Sequence, residues 1–378
     1  MPVGEFSDLF DVPPDIAYFN TAYNSPLLTA SRAALQEAAG SKCRPWERSA
    51  SSFFDDAESL RTICASLFAS EADNFAIVPA ASYAISTASR IVEPMLGPGD
   101  RILLLDQEFP SNVLPWRRVA AETGCEIVTV ERPPDGGWTK AVLDRLSRDI
   151  RVAALSACHW TDGAALDLAS IARACRSLDV ILSLDVTQSL GAVPLDLAAV
   201  RPDFMVAAGY KWLLCPYGAS IFYIDPRWHN ARPLEESWLA RAGSENFAAL
   251  VHYRDEYRAG ARRFDVGETC VTTVLPGAIA ALAQLDRWTV PFVAARLGEI
   301  TARIASDAAG FGYEVLAAQH RSPHMLGLRA RNPQDLIEKL RAADVYVSQR
   351  GEAVRIAPHL HVTADNIATL LDALRAAA

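Results

Sequence analysis

The sequence predicts an α/β protein: a mostly parallel seven-stranded sheet with helices on both faces, joined to a smaller α+β domain. Three observations carry this. Seven short apolar runs recur between residues 74 and 224, helical patterns separate most of them, and the rhythm changes after residue 225. Strands buried on both faces read as continuous apolar runs, and parallel neighbours need a crossover that is usually a helix.

Taken in order, residues 1–45 read as an N-terminal arm and helix that join the smaller domain. Residues 46–260 form the large domain. Its strands are expected at NFAIVPA (74–80), RILLLD (101–106), CEIVTV (125–130), RVAALSA (151–157), VILSLD (180–185), DFMVAAG (203–209) and ASIFYI (219–224). Segments such as ASYAISTASRIV and LDLASIARACRSL carry the 3.6-residue spacing of the intervening helices. From residue 225, DPRWHNARPLEESWLARAGSENF is polar, aromatic and irregular, and predicts a surface excursion or a subunit contact. Residues 261–378 form the small domain. It opens on helical PGAIAALAQLDRW and VAARLGEITARIAS; strands GYEVLA, HMLGLRA and VYVSQ then surround the helix QDLIEKLRAAD, and a last helix follows.

A chain of 378 residues, 51% hydrophobic and 21% charged, has ample material for a core. Its net charge of −9 argues against nucleic acid or an anionic membrane as the main partner. No apolar run approaches the ~20 residues of a membrane helix. The opening MPVGEFSDLFDVPPD lacks the basic-then-apolar pattern of a leader, so a cytoplasmic protein is expected. The seven cysteines are scattered without CxxC spacing, which suits a reducing compartment, and neither they nor the histidines suggest a metal site. HExxH, GxxxxGK[ST], GxSxG and GxGxxG are all absent, so a nicotinamide-dependent oxidoreductase lacks its Gly-rich turn.

In an open parallel sheet, ligands bind outside the carboxyl ends of the strands. There the sequence places Asp185, Lys211, the small-residue helix start Ala81-Ser82, and the aromatics Phe109 and Trp160. Each has an ordinary alternative: an Asp after a strand caps a turn, a lysine snorkels, and aromatics fill cores. Those alternatives do not explain why all of them fall on one rim. Pyridoxal phosphate needs that set: a lysine amine, a carboxylate at its ring nitrogen, a flat apolar side chain over the ring, and a helix N-terminus for its phosphate. The apolar neighbours of Lys211 in AAGYKWLLCPYG would also depress its pKa and favour the free amine.

The motifs YFNTAYNSP, PAASYAIST, EFPSN, LDVTQSLG, GYKWLLCPYG, FDVGE and VRIAPHLHVT together resemble the class V aminotransferase family of fold-type I pyridoxal-phosphate enzymes, which includes cysteine desulfurases, kynureninases and isopenicillin N epimerases. The resemblance implies pyridoxal 5'-phosphate as cofactor and Lys211 as the Schiff-base lysine. Asp185 would face the ring nitrogen and Gln188 the phenolic oxygen. Ala81 and Ser82, with the Tyr210 hydroxyl, would hold the phosphate, and Phe109 would stack on the ring. Arg350 would hold the α-carboxylate of an amino-acid substrate, with Asn24 also at the substrate. Arg355 is read as a strand residue that faces away from the site and supports the small domain. A homodimer is implied as well.

Departures from the family pattern narrow the chemistry. Phe109 stands where desulfurases often have a histidine, Trp160 where many members have an asparagine, and Glu268 where desulfurases have a threonine, a contact that is either lost or taken by Thr269. No cysteine follows Arg350, and the last in the chain is Cys270. This argues against desulfurization through a persulfide. Transamination, C–S or β-elimination and epimerisation all stay open, as does a non-catalytic relative that keeps the fold as a binding module.

Overall fold

The apolar runs between residues 74 and 224 pair into one sheet in the structure, a computed structural model that describes residues 3–269 and 271–378. The chain begins with β1 (Ala17–Tyr18), α1 (Thr29–Lys42) and α2 (Asp55–Leu67). The large sheet and its crossovers follow as β2 (Phe75–Val78), α3 (Ala81–Val92), β3 (Arg101–Leu105), α4 (Pro110–Thr123), β4 (Glu126–Val130), α5 (Trp138–Arg145) and β5 (Ile150–Ser156). After these come α6 (Leu168–Leu178), β6 (Ile181–Asp185), the single turn α7 (Leu197–Val200), β7 (Phe204–Ala208) and β8 (Ser220–Ile224).

The strand order is β2-β8-β7-β6-β5-β3-β4. The pairs from β4 through β7 are parallel, while β8 runs antiparallel to both its neighbours. Side chains of each strand alternate between two cores. Leu103, Leu155, Leu184 and Met205 belong to one, packed with α5 and α6; Leu104, Ala154, Ile181 and Phe204 belong to the other, packed with α3 and α4. Burial on both faces is why these strands read as unbroken apolar runs. Because β8 is the antiparallel member, β2, β3, β5, β6 and β7 all end at one rim.

Residues 225–269 form only short 3-10 turns, as their irregular composition predicts. Asp265 anchors the end of this excursion: buried Arg61 of α2 forks onto its carboxylate and also donates to Phe75 O at 2.6 Å, and Ile77 N donates to Asp265 Oδ1 at 2.8 Å. This fixes the FDVGE motif against β2.

The remainder comprises α8 (Leu275–Trp288), α9 (Val290–Gly310), β9 (Glu314–Val315), β10 (Leu326–Arg329), α10 (Pro333–Ala342), β11 (Val345–Tyr346), β12 (Ser348–Arg350), β13 (Ala353–Ile356) and α11 (Ala364–Ala377). An antiparallel sheet runs β12-β13-β10-β9. The run VYVSQ is two strands rather than one, because the chain changes partners at Val347. Val345 and Tyr346 pair in parallel with β1 of the N-terminal arm, whereas residues from Ser348 pair with β13.

Candidate active site

Lys211 reaches the rim because the chain turns sharply after β7. A Cβ at Gly209 would stand 2.0 Å from Ala219 O, so only glycine fits there. Leu214 takes a left-handed φ of 58°, and Cys215 N donates to Gly209 O at 2.9 Å. The turn buries Trp212, Leu213 and Leu214 and aims the Lys211 side chain into a pocket beyond the strand ends. Lys211 is 6% exposed, so its amine does not snorkel to water. Nζ lies 5.4 Å from the Phe109 ring and 5.6 Å from the Tyr210 ring, and no described residue gives it a hydrogen bond or an ion pair. Burial, reinforced by the charge of Arg355 and opposed by Asp185, lowers it to about 8. The amine is thus partly neutral near physiological pH, as a nucleophile must be.

Asp185 ends β6 and is also buried in the pocket wall. Burial raises its pKa, and hydrogen bonds from Thr187 offset part of the rise, Thr187 N donating to Oδ1 at 2.9 Å. The Thr187 hydroxyl in turn accepts from Ala208 N at 3.0 Å, tying the carboxylate to the end of β7. Gln188 has an unambiguous amide orientation: Trp212 Nε1 can only donate, to Oε1 at 3.0 Å, and Ala22 O can only accept, from Nε2 at 3.0 Å. His324, buried and neutral, bonds the Gln188 carbonyl. The second amide hydrogen of Gln188 has no acceptor among the described residues, and the residue lines the pocket.

Ala81 and Ser82, which line the pocket, open α3 with no side-chain cap, and no described group accepts from their backbone N–H groups. An uncapped helix N-terminus of this kind is an anion site. Phe109 caps α4 and meets Trp160 edge-on, with centroids 5.3 Å apart. The two loops bearing them are stitched together: Trp160 Nε1 donates to Gln107 O at 2.7 Å, and His159 Nε2 contacts Asp106 O at 3.0 Å. Trp160 is therefore a wall whose polar atom is already used. Tyr210 also lines the pocket, its ring stacked 3.9 Å from that of Tyr217.

Sequence reasoning gave Glu108 no role, although it lies at the end of a predicted strand. Its carboxyl is fully buried in the pocket wall; Oε1 accepts from Phe109 N at 2.7 Å, while Oε2 has no partner. Burial pushes it from an ordinary 4.5 up to about 7, a rise that the nearby Ser156 and Asn112 ease without reaching normal hydrogen-bond geometry. A carboxyl raised on folding adds stability that is complete below its unfolded pKa and is lost as pH climbs through about 7, on the order of 3 kcal/mol here. Glu108→Gln is neutral at every pH. Urea midpoints of the unloaded protein should therefore fall more steeply from pH 5 to pH 8 in the wild type than in the variant. Parallel profiles would show that Glu108 titrates normally.

The structure corrects the expectation for Arg355. Ser348 stands opposite Arg355, and Arg350 opposite Ala353, so both arginines project from the same face of the β12–β13 hairpin. Arg355 does not face away. It is 1% exposed, its Nη1 donates to Trp160 O at 2.6 Å, and its charge is felt at the Lys211 amine more strongly than that of Arg350. Its Nε and Nη2 are buried without partners. Gly327, across from it on β10, leaves room for Asp162: a Cβ at Gly327 would meet the Asp162 Cβ at 2.8 Å.

Of the predicted site residues, Ala81, Ser82, Phe109, Asp185, Gln188, Tyr210 and Lys211 line one pocket. Arg350 and Asn24 do not. Arg350 lies near its mouth, 5.8 Å from the Trp160 ring, and the backbone carbonyl of Asn24 accepts from Tyr18 Oη at 2.7 Å. The Thr269 hydroxyl donates to Val266 O at 2.5 Å, and Cys270 lies outside the described residues. Among the described residues no cluster suits a metal ion, and no helix is long and apolar enough to cross a membrane.

An unpartnered buried amine, a carboxyl facing the same pocket, an aromatic plate and an uncapped helix N-terminus fit a flat phosphorylated aldehyde such as pyridoxal 5'-phosphate. A family model described as aminotransferase class-V matches residues 21–370. An uncharacterized aminotransferase, YcbU, of Bacillus subtilis is 26% identical over 84% of this chain and 83% of its own. Isopenicillin N epimerase of Streptomyces clavuligerus is 26% identical over 74% of each chain, and proteins named probable cysteine desulfurase match over shorter stretches. In structure, a C-DES mutant with glycine covalently linked to its PLP cofactor aligns with a TM-score of 0.82 at 21% identity, covering 96% of this chain and 97% of that one.

Proposed function

The chain belongs to the class-V aminotransferase family, and on that premise we propose an amino-acid-processing enzyme that holds its cofactor, pyridoxal 5'-phosphate, covalently through Lys211. The observation that carries this is the Lys211 amine, buried and unpartnered in one pocket with Asp185. Asp185 holds the proton of the cofactor's ring nitrogen, Gln188 donates its remaining amide hydrogen to the phenolic oxygen, and the N–H groups of Ala81 and Ser82 take the phosphate. Phe109 covers the ring and excludes water from it. When bound, the cofactor supplies an aldehyde for the substrate amine and a ring that accepts the charge left at Cα. Lys211 moves the proton at Cα, work its depressed pKa suits.

Arg355, rather than Arg350, takes the substrate α-carboxylate, supported by its two buried donors without partners. Arg355→Lys keeps the charge and loses the fork. It should raise the half-saturating concentration of amino acid roughly tenfold to hundredfold, as for loss of a charge-assisted pair, with the unliganded cofactor spectrum unchanged. If Arg350→Lys shows that pattern and Arg355→Lys is silent, the two roles are reversed.

The reaction is transamination or β-lyase chemistry at Cα. A persulfide-forming desulfurase is disfavoured, because Cys158, which lines the pocket, is buried with its thiol pKa pushed far up, and Cys43, exposed, ends α1. Epimerisation is the second reading, favoured by the match to isopenicillin N epimerase. Incubating the loaded enzyme with an amino-acid panel separates these outcomes: keto acid marks transamination, pyruvate with sulfide or ammonia marks lyase action, and loss of optical activity alone marks epimerisation. No product from any member would defeat the enzymatic reading in favour of a binding module.

A homodimer is supported by exposed aromatic residues on the irregular excursion and on the segment between α1 and α2. Trp46 is 77% and Tyr253 96% exposed, and Phe53 packs with the exposed Trp238 and Phe247. Sedimentation is expected to give twice the 41.0 kDa chain mass; a fully active monomer at micromolar concentration would refute this. The six described cysteines are all free thiols, which suits a cytoplasmic compartment, and fractionation of expressing cells tests that placement.

A further inference from the structure

Arg350 and Arg355 share one face of the β12–β13 hairpin, and neither has a carboxylate partner among the described residues. Arg355 gives one bond to Trp160 O. Arg350 donates from Nη1 to its neighbour's carbonyl, Gln349 O, at 2.6 Å. Two like charges on one face repel each other, and Asp162, which stands over Gly327 on that face, is paired with Arg132 instead. The repulsion is visible in Arg355, whose pKa is lowered by burial and by the charge of Arg350. Elsewhere in the chain arginines find acids readily: Arg61 has Asp265, Arg132 has Asp162, and Arg262 has Glu58. At this mouth the compensating charge has to arrive with a ligand.

Depth separates the two arginines. Arg355 is buried beneath the Trp160 carbonyl, whereas Arg350 is half-buried at the rim. The rings of Tyr23 and Trp160 flank the Arg350 guanidinium at 5.9 and 5.8 Å, which holds it in place without neutralising it. An α-carboxylate can occupy the fork of only one of them. We infer that the substrate is an amino acid whose side chain carries a second carboxylate, with Arg355 taking the α-carboxylate and Arg350 taking the side-chain carboxylate at the pocket mouth. The inference rests on the amino-acid reading above and deepens it by naming the substrate class.

The test is a titration of the cofactor-loaded enzyme, followed by the change in cofactor absorbance, with matched pairs: aspartate against asparagine and glutamate against glutamine. At least one acid should half-saturate the enzyme at a concentration ten or more times below that of its amide, the scale of one charge-assisted pair. Arg350→Gln should bring the acid and the amide to within threefold of each other. Arg350→Lys, which keeps the charge without the fork, should retain an intermediate preference; an unchanged unliganded spectrum in both variants shows that the site is intact. Wild-type acids and amides that half-saturate alike overturn the proposal, as does a preference that survives Arg350→Gln. A response to amino acids that ignores the side-chain charge overturns this proposal alone. Silence toward every member overturns the amino-acid reading as well.

Discussion

Lys211→Ala is expected to purify without covalently held cofactor and to lose turnover by at least about 10²–10⁴-fold, the range for removal of a general acid–base group alone. The side chain stands in the pocket with no competing partner, and its pKa, lowered to about 8 chiefly by burial, leaves the amine ready to attack an aldehyde. The depressed pKa adds a pH signature. The neutral fraction of the amine grows as pH rises through about 8, so capture of added pyridoxal phosphate by unloaded wild-type protein should accelerate up to that pH and then level off. Borohydride treatment followed by peptide mass analysis locates the attachment. A cofactor adduct on another lysine, or a variant that still turns over substrate, would remove Lys211 from this role. The variant should fold, because alanine replaces a charge that burial disfavours.

The inner strands of the large sheet were legible because burial on both faces leaves a continuous apolar run at each of them, whereas the edge strand β4, mostly exposed or half-buried, keeps a polar-interrupted one. The residues that end those strands were legible for a related reason: in parallel strands the rim is set by direction alone, so Asp185 and Lys211 could be placed together before any pairing was known. What failed to show was whatever depends on register. The inward face of Arg355 follows from Ser348 standing opposite it, and a hairpin shifted by one residue would turn the arginine outward with the same sequence. The division of VYVSQ into two strands depends on a partner, β1, some 330 residues away in sequence. Glu108 was hidden differently. A carboxylate after a strand usually caps a turn, and only the fold reveals that its second oxygen is buried without a partner.

Asp185→Asn is expected to retain cofactor while losing rate by about 10²–10³-fold, the size observed when one preorganised electrostatic group is removed. The substitution keeps the shape of the side chain and its position at the end of β6, where Thr187 N bonds Oδ1. What it removes is the negative charge. Burial raises the Asp185 pKa, so its carboxylate has more affinity for a proton than an exposed one, and that affinity is best met by a protonated ring nitrogen set against it. A neutral amide cannot hold that nitrogen in its protonated form. The amine of Lys211 is also affected, since Asp185 is the one neighbour that favours its charged form. Without it, the Lys211 pKa should drop further, and the pH at which cofactor capture levels off should move below about 8. The two readouts separate the roles. A loss of rate together with the displaced capture profile places the carboxylate beside both the amine and the ring nitrogen. A displaced profile with near-normal turnover at saturating cofactor would leave Asp185 as a neighbour of the lysine only, and the ring nitrogen would need another partner.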